Sequence, residues 1–164
     1  VFNAAVAQGV AVKEITSRFD TVSICCSKGL GAPIGSLLCG SETFIKTARR
    51  WRKMVGGGMR QAGILAAAID YALTNNVQRL KEDHDNATLL ASMLGEISSI
   101  NVESPHTNML YIELNSAEQG ARLQQLLLEK NILISSGKRI RLVTHLDITS
   151  NDIEYFVEQV KKAL

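Results

Sequence analysis

One stretch limits what this chain can become: Thr21 to Gly40, TVSICCSKGLGAPIGSLLCG. Thr21 to Cys26 is uncharged and mostly β-branched or apolar, the pattern of a strand covered on both faces. Lys28 comes straight after it. Gly29, Gly31, Pro33 and Gly35 then break the chain, because glycine and proline punctuate regular structure. Leu37 to Cys39 resumes an apolar run. The order predicted is strand, glycine-rich turn, strand. A lysine at the end of a buried strand is costly unless it has a partner or a task. Two readings stand for Lys28. In one it snorkels to water at a sheet edge. In the other it is an imine-forming amine, which must react in its neutral form. An ordinary lysine, with a pKa of about 10.4, is neutral in roughly one molecule in 2,500 at pH 7. Closing that gap takes about 4.6 kcal/mol of differential solvation and charge repulsion. An apolar wall with a nearby cation can supply it.

The rest of the chain must supply the core. Apolar residues are 46% and charged residues 21% of the 164, which excludes a disordered chain. A net charge of +2 gives no argument for nucleic acid or a membrane surface. Cys25, Cys26 and Cys39 fall in the two apolar runs, at the spacing of neither a metal site nor a disulfide framework. Buried free thiols in a reducing, cytoplasmic compartment are the expectation. Ala62 to Leu73 is the longest apolar stretch. It is interrupted by Asp70 and is too short to span a bilayer. It predicts a helix buried against other elements, a second subunit included.

Val1 to Gly9 predicts a helix that Gly9 ends, and Val12 to Phe19 a short helical turn. Ser41 caps a helix with Phe44, Ile45, Ala48 and Trp51 at helical spacing. Asn75-Asn76 closes the helix of Ala62 to Leu73. Val77 to Ile97 predicts a long amphipathic helix with Val77, Leu80, Ala87, Leu90, Met93 and Leu94 on one face. A domain boundary is placed within it, giving domains 1–78 and 79–164. Asn108 to Leu114 then reads as a strand. Ser116 to Lys130 reads as a helix with Ala117, Leu123, Leu126 and Leu127 as its apolar side. Asn131 to Ser135 and Arg139 to Val143 read as strands. Thr149 caps a last helix with Ile153, Phe156, Val157 and Val160 on its apolar face. This second domain is a small α+β domain.

Several clusters carry charge or unusual backbone. Arg49, Arg50, Arg52 and Lys53 surround Trp51. That pattern suits a nucleic-acid patch with a stacking aromatic or a solvated helix end complementing the dipole. Gly56-Gly57-Gly58 cannot pack a core. Ahead of a helix such a run cradles an anion or acts as a hinge. Asp83-His84-Asp85 are adjacent, so they do not share a helix face; a solvated face, with no metal, is expected. Arg139 and Arg141 are two apart in a strand and share a face. They are either surface cations or a bidentate clamp for a carboxylate.

The runs SKGLGAPIGSLLCG, RRWRKMVGGGMRQAGILAAA and RIRLVTHLDIT together resemble the low-specificity L-threonine aldolases, lyases of glycine and threonine metabolism. Those are pyridoxal-phosphate enzymes of the aspartate-aminotransferase-like fold, fold type I. The opening VFNAAVAQG resembles the helix after that family's aspartate-bearing segment, so the likeness is to its C-terminal portion. The resemblance implies an α/β fold: part of a cofactor-binding large domain over 1–78, then the small α+β domain. It implies pyridoxal 5'-phosphate as cofactor, Lys28 as the catalytic lysine, and Ser27 and Arg60 as cofactor contacts. Lys53 and Arg141 become substrate contacts. It gives no role to Arg139 and leaves His84, His106 and His145 structural or exposed. It further implies a cytoplasmic homotetramer or dimer with shared sites, and an amino-acid substrate. The family's pyridine-nitrogen aspartate and histidine base are not matched here, so the isolated segment is expected to be inactive. Another fold type I reaction, or a non-catalytic assembly partner, is the competing expectation.

Overall fold

The computed structural model describes Val1–Leu164 and opens with α1 (Phe2–Gln8), which Gly9 ends in the left-handed conformation at φ 64°. After α2 (Val12–Thr16) come β1 (Val22–Cys25) and β2 (Ser36–Cys39). They pair antiparallel, with Ile24 opposite Leu37 and Cys25 opposite Ser36. Next are α3 (Glu42–Met54) and α4 (Ala62–Asn75). The Ser41 hydroxyl caps α3 by accepting the Phe44 N–H at 3.3 Å. These elements make a first unit, Val1–Leu80; the second is Lys81–Leu164.

The first unit has a small core. Cys26, Leu30, Ala32, Ile69, Ala72 and Leu80 are buried together, with Phe2, Ile24, Leu37 and Val77 packed on them. Two expectations change here. The strand before Lys28 is not covered on both faces: none of its four residues is buried. Nor is α4 buried all round: only Ile69 and Ala72 are. One cluster covers one stripe of a helix whose apolar residues run round it, so Ile64 and Tyr71 stay 76% and 66% exposed.

Next comes α5 (Leu80–Gly95), in the second unit from Lys81 on, so Val77–Arg79 precede the helix that was expected to include them. Then come β3 (Asn101–Glu103), β4 (Met109–Glu113), α6 (Ala117–Leu128), β5 (Arg139–Val143) and α7 (Ser150–Ala163). The sheet order is β3-β4-β5, antiparallel throughout. Strand alternation turns Leu110, Ile112, Ile140 and Leu142 inward, against Leu90 and Leu94 of α5, Leu123 and Leu127 of α6, and Val157 and Val160 of α7. Fourteen buried apolar residues cluster here, against six in the first unit. At roughly 1.5–3 kcal/mol for each large side chain, the second unit has much the greater hydrophobic stabilisation.

Asn131–Ser135 is not a strand. Asn131 takes φ 60° and the Ile134 carbonyl accepts from the Gln124 amide at 2.9 Å, which holds the segment against α6 instead of a sheet. The third strand is β3, in a stretch too short to show a period. Ala117, expected on the apolar side of α6, is exposed, and Asp83, expected on a solvated face, is buried. The Asp83 carbonyl accepts from the buried Thr144 hydroxyl at 2.6 Å. No helix is long and apolar enough to cross a membrane.

Candidate active site

Lys28 projects from a turn whose other members are anchored. Cys26, Leu30 and Ala32 are buried while Ser27 and Lys28 are exposed. The turn closes through the Gly31 N–H donating to the Lys28 carbonyl at 2.8 Å, and the loop through Cys26 N–H to Gly35 O and Ala32 N–H to Cys26 O. The Asn76 amide, just past α4, donates to the Leu30 carbonyl at 2.7 Å. Gly35 is required: its φ is 112°, and a β-carbon there would stand 2.8 Å from Ile69 Cδ1. The amine of Lys28 holds no ion pair or hydrogen bond.

Around it lies a polar cluster that the sequence did not reveal. Cys25, the last residue of β1, has its Sγ 3.4 Å from the Ser27 hydroxyl. Hydrogen bonds from Ser27, side chain first and then backbone, hold the Cys25 thiol below its ordinary pKa; Ser36 and the Lys28 charge add to this and burial opposes it. Burial pushes the Cys26 thiol up. The expectation of buried thiols therefore holds for Cys26 alone, since Cys25 is half-buried and Cys39 exposed. A two-stranded ribbon has only one face packed on the core.

The triglycine run ends α3. Gly56 is left-handed at φ 85°. Its N–H donates to Lys53 O, and the Gly57 N–H to Arg52 O at 2.8 Å, which is the Schellman arrangement of a helix C-terminus. These two N–H groups are therefore not available to an anion. Lys53 lies across the loop: a β-carbon on Gly58 would fall 2.7 Å from its Cδ and 3.1 Å from its Nζ. Arg60 is exposed just before α4. Lys53 and Arg60 thus flank one loop, while Ser27 and Lys28 share another. A shallow groove of about 380 Å³ along α3 is lined by Lys46, Thr47, Arg50, Trp51 and Met54, none of which is an expected site residue.

Arg141 belongs to the second unit. On the exposed face of its sheet, Arg139 grips Glu103 through Nε at 2.8 Å and a second nitrogen at 2.9 Å. The Arg139 guanidinium lies 4.0 Å from the centre of the Tyr111 ring. Lys138 pairs with Glu113 at 3.0 Å. Arg141, opposite Tyr111 in the register, has no carboxylate partner. Sequence reasoning missed Glu103 and Tyr111, because Glu103 sits on the strand it did not see.

A family model described as beta-eliminating lyase matches residues 1–117. The low specificity L-threonine aldolase of Escherichia coli (strain K12) is 52% identical over 93% of this chain and 45% of its own length. The chain spans about half the length of the curated relatives it matches. A solved structure from Exiguobacterium sp. 255-15, provisionally described as an aromatic amino acid beta-eliminating lyase/threonine aldolase, is 19% identical with a TM-score of 0.83, over 99% of this chain and 50% of that one. A structure of SPT with PLP is 17% identical with a TM-score of 0.73, over 94% of this chain and 43% of that one. The α/β fold type I expectation is the fold observed, and the likeness to the low-specificity threonine aldolases holds across nearly the whole chain.

Proposed function

This chain belongs to the beta-eliminating lyase family, and we propose that the protein is a pyridoxal-phosphate-dependent threonine aldolase. It is a carbon–carbon lyase that takes L-threonine or L-allo-threonine to glycine and acetaldehyde. The observation that carries the reading is Lys28: exposed, free of any partner, and set on a turn pinned by Leu30, Ala32 and Asn76. The names of the relatives support it.

The residues present fit the cofactor, with a free amine on a rigid turn beside a hydroxyl. Pyridoxal phosphate, when bound, supplies a sink for the electron pair left as a bond to the substrate Cα breaks. Lys28 would hold the cofactor through its amine. With the substrate bound, Lys28 Nζ would be the group placed to deliver a proton to Cα. Ser27 and Arg60 bind the phosphate. Lys53 attracts the anionic substrate, and the Arg141 fork holds its carboxylate. Fixing the carboxylate would orient the substrate and so select the Cα–Cβ bond for cleavage. A base, which none of the assigned residues of this chain provides, would take the β-hydroxyl proton, and the oxygen would become the aldehyde carbonyl. Cα takes a proton to give glycine.

In this reading residues 1–78 belong to the cofactor-binding domain and 79–164 to the small domain. The protein is a cytoplasmic homo-oligomer, a dimer or a tetramer, whose sites are shared between copies. Exposed Trp51, Met54, Val55, Met59, Ile64 and Tyr71 support association, and free cysteines support a reducing compartment. The test uses the whole protein, incubated with pyridoxal phosphate, reduced with borohydride and digested. A pyridoxyl adduct on Lys28, absent from Lys28→Met together with glycine formation, is the expected result. An adduct elsewhere, or keto acid or ammonia in place of glycine and acetaldehyde, overturns the reading.

A further inference from the structure

The exposed face of the second unit's sheet has more cations than anions, and the way they are paired is selective. Lys138, Arg139 and Arg141 face two carboxylates, Glu103 and Glu113. Lys138 takes Glu113 and Arg139 takes Glu103 with both nitrogens of its fork. Arg141 is left over.

The register shows that this partition is not set by distance. Glu103 stands opposite Tyr111 and Tyr111 opposite Arg141, so Glu103 and Arg141 share one row across the sheet. Arg139 stands in the next row, opposite Glu113. Strands lie about 4.8 Å apart and residues rise about 3.3 Å each. The Glu103 and Arg141 backbones are thus about 10 Å apart, closer than the diagonal from Glu103 to Arg139. Glu103 nevertheless pairs along the diagonal, where the Tyr111 ring, 4.0 Å beneath the Arg139 guanidinium, adds a cation–π contact.

We infer that Arg139 is a positioning residue that withholds Glu103 from Arg141, leaving Arg141 as the free guanidinium for a substrate carboxylate. The substrate part of this rests on the proposed role of Arg141; the pairing does not. With Arg139 removed, Glu103 turns to the nearest cation in its own row. It then competes with any incoming carboxylate without touching the chemical step.

The test compares Arg139→Met, Arg139→Gln, Arg139→Lys and the double variant Arg139→Met/Glu103→Gln in the whole protein. The first readout needs neither cofactor nor turnover: residue-resolved modification of Arg141 by phenylglyoxal. An exposed ion pair protects by about two- to fivefold, so modification of Arg141 slows by that factor in Arg139→Met and Arg139→Gln. It recovers in the double variant and stays near the parent rate in Arg139→Lys, which still holds Glu103. The second readout is threonine turnover. KM rises by a similar factor with kcat unchanged, and the rise fades in high salt because the competing pair is exposed. Unchanged Arg141 modification in Arg139→Met, or a double variant no closer to the parent than the single, overturns the inference. If modification follows the pattern but KM does not move, the pairing stands and the substrate role of Arg141 falls.

Discussion

Gly120 of α6 lies so close to Gly137 that a β-carbon built on it would stand 2.0 Å from the Gly137 carbonyl oxygen. This contact brings the segment before β5 against α6, one turn from the Gln124 bond to Ile134. It therefore helps to fix where the strand bearing Arg141 begins. Backbone, not a flexible side chain, meets the added carbon, so neither partner yields cheaply. Gly120→Ala is expected to destabilise the protein by about 1–3 kcal/mol, as overpacking does, read as a lower denaturant midpoint. Gly95→Ala is the control. Nothing lies within 4 Å of that position, and replacing a helical glycine is expected to stabilise by about 0.5–1 kcal/mol.

Arg141→Lys tests shape against charge. Lysine keeps the positive charge but loses the planar fork that matches a carboxylate. A hydrogen bond to a charged group contributes about 1.5–3 kcal/mol. Arg141→Lys is therefore expected to lower kcat/KM for threonine by roughly 10- to 150-fold, mostly through KM. A value near that of the parent removes Arg141 from the site. Arg139→Lys in the same assay shows little change, because it still reaches Glu103.

What could be read from the residues alone depended on whether the signal was local. The left-handed stop at Gly9, the caps Ser41 and Thr149, and the alternation of Arg139–Val143 each come from side chains within a few residues. The structure reproduces them. What failed depends on neighbours. The α4 sequence shows that the helix is apolar, not what covers it. Asn131–Ser135 has strand-like residues, yet the left-handed Asn131 and the Gln124 bond take it out of the sheet. Three residues of β3 have no period to detect, so Glu103, and with it the partner of Arg139, was invisible. At the candidate site the lysine and its glycines were legible because an apolar run and turn-forming residues are adjacent there. The Cys25–Ser27 contact was not, because a two-stranded ribbon leaves exposed a face that was expected to be covered.

That contact makes Cys25 and Cys26 chemically distinct although they are neighbours. Ser27 hydrogen bonds favour the Cys25 thiolate, and the thiolate is the reactive form. The pH of half-maximal alkylation at Cys25 is expected below that of an ordinary thiol. Buried Cys26, whose pKa is raised, stays unmodified until the protein unfolds. Ser27→Ala removes the leading cause and moves the Cys25 profile to higher pH, slowing alkylation near neutrality. Iodoacetamide labelling followed by peptide mass spectrometry reads both sites in one experiment. Equal rates at the two cysteines in the folded protein contradict the geometry.

The start of α7 offers a pH test on the second unit. Asp152 accepts from the Thr149 N–H at 2.8 Å and from the Thr149 hydroxyl at 2.6 Å, and the Asp152 N–H donates to that hydroxyl at 3.3 Å. Thr149, side chain first and then backbone, holds the Asp152 carboxyl below its usual value. A group whose pKa is depressed on folding stabilises the fold above its unfolded value, near 3.9. That contribution is lost as pH falls through the lower folded value. Thr149→Ala is expected to cost about 1 kcal/mol at neutral pH, as loss of an N-cap does. Because the carboxylate is the acceptor of both Thr149 donors, the gap in stability between parent and variant should narrow in acid, below about pH 4. Urea titrations of both proteins between neutral and acid pH measure that gap directly. A difference that does not shrink as Asp152 protonates means that the capping box does not depend on its charge.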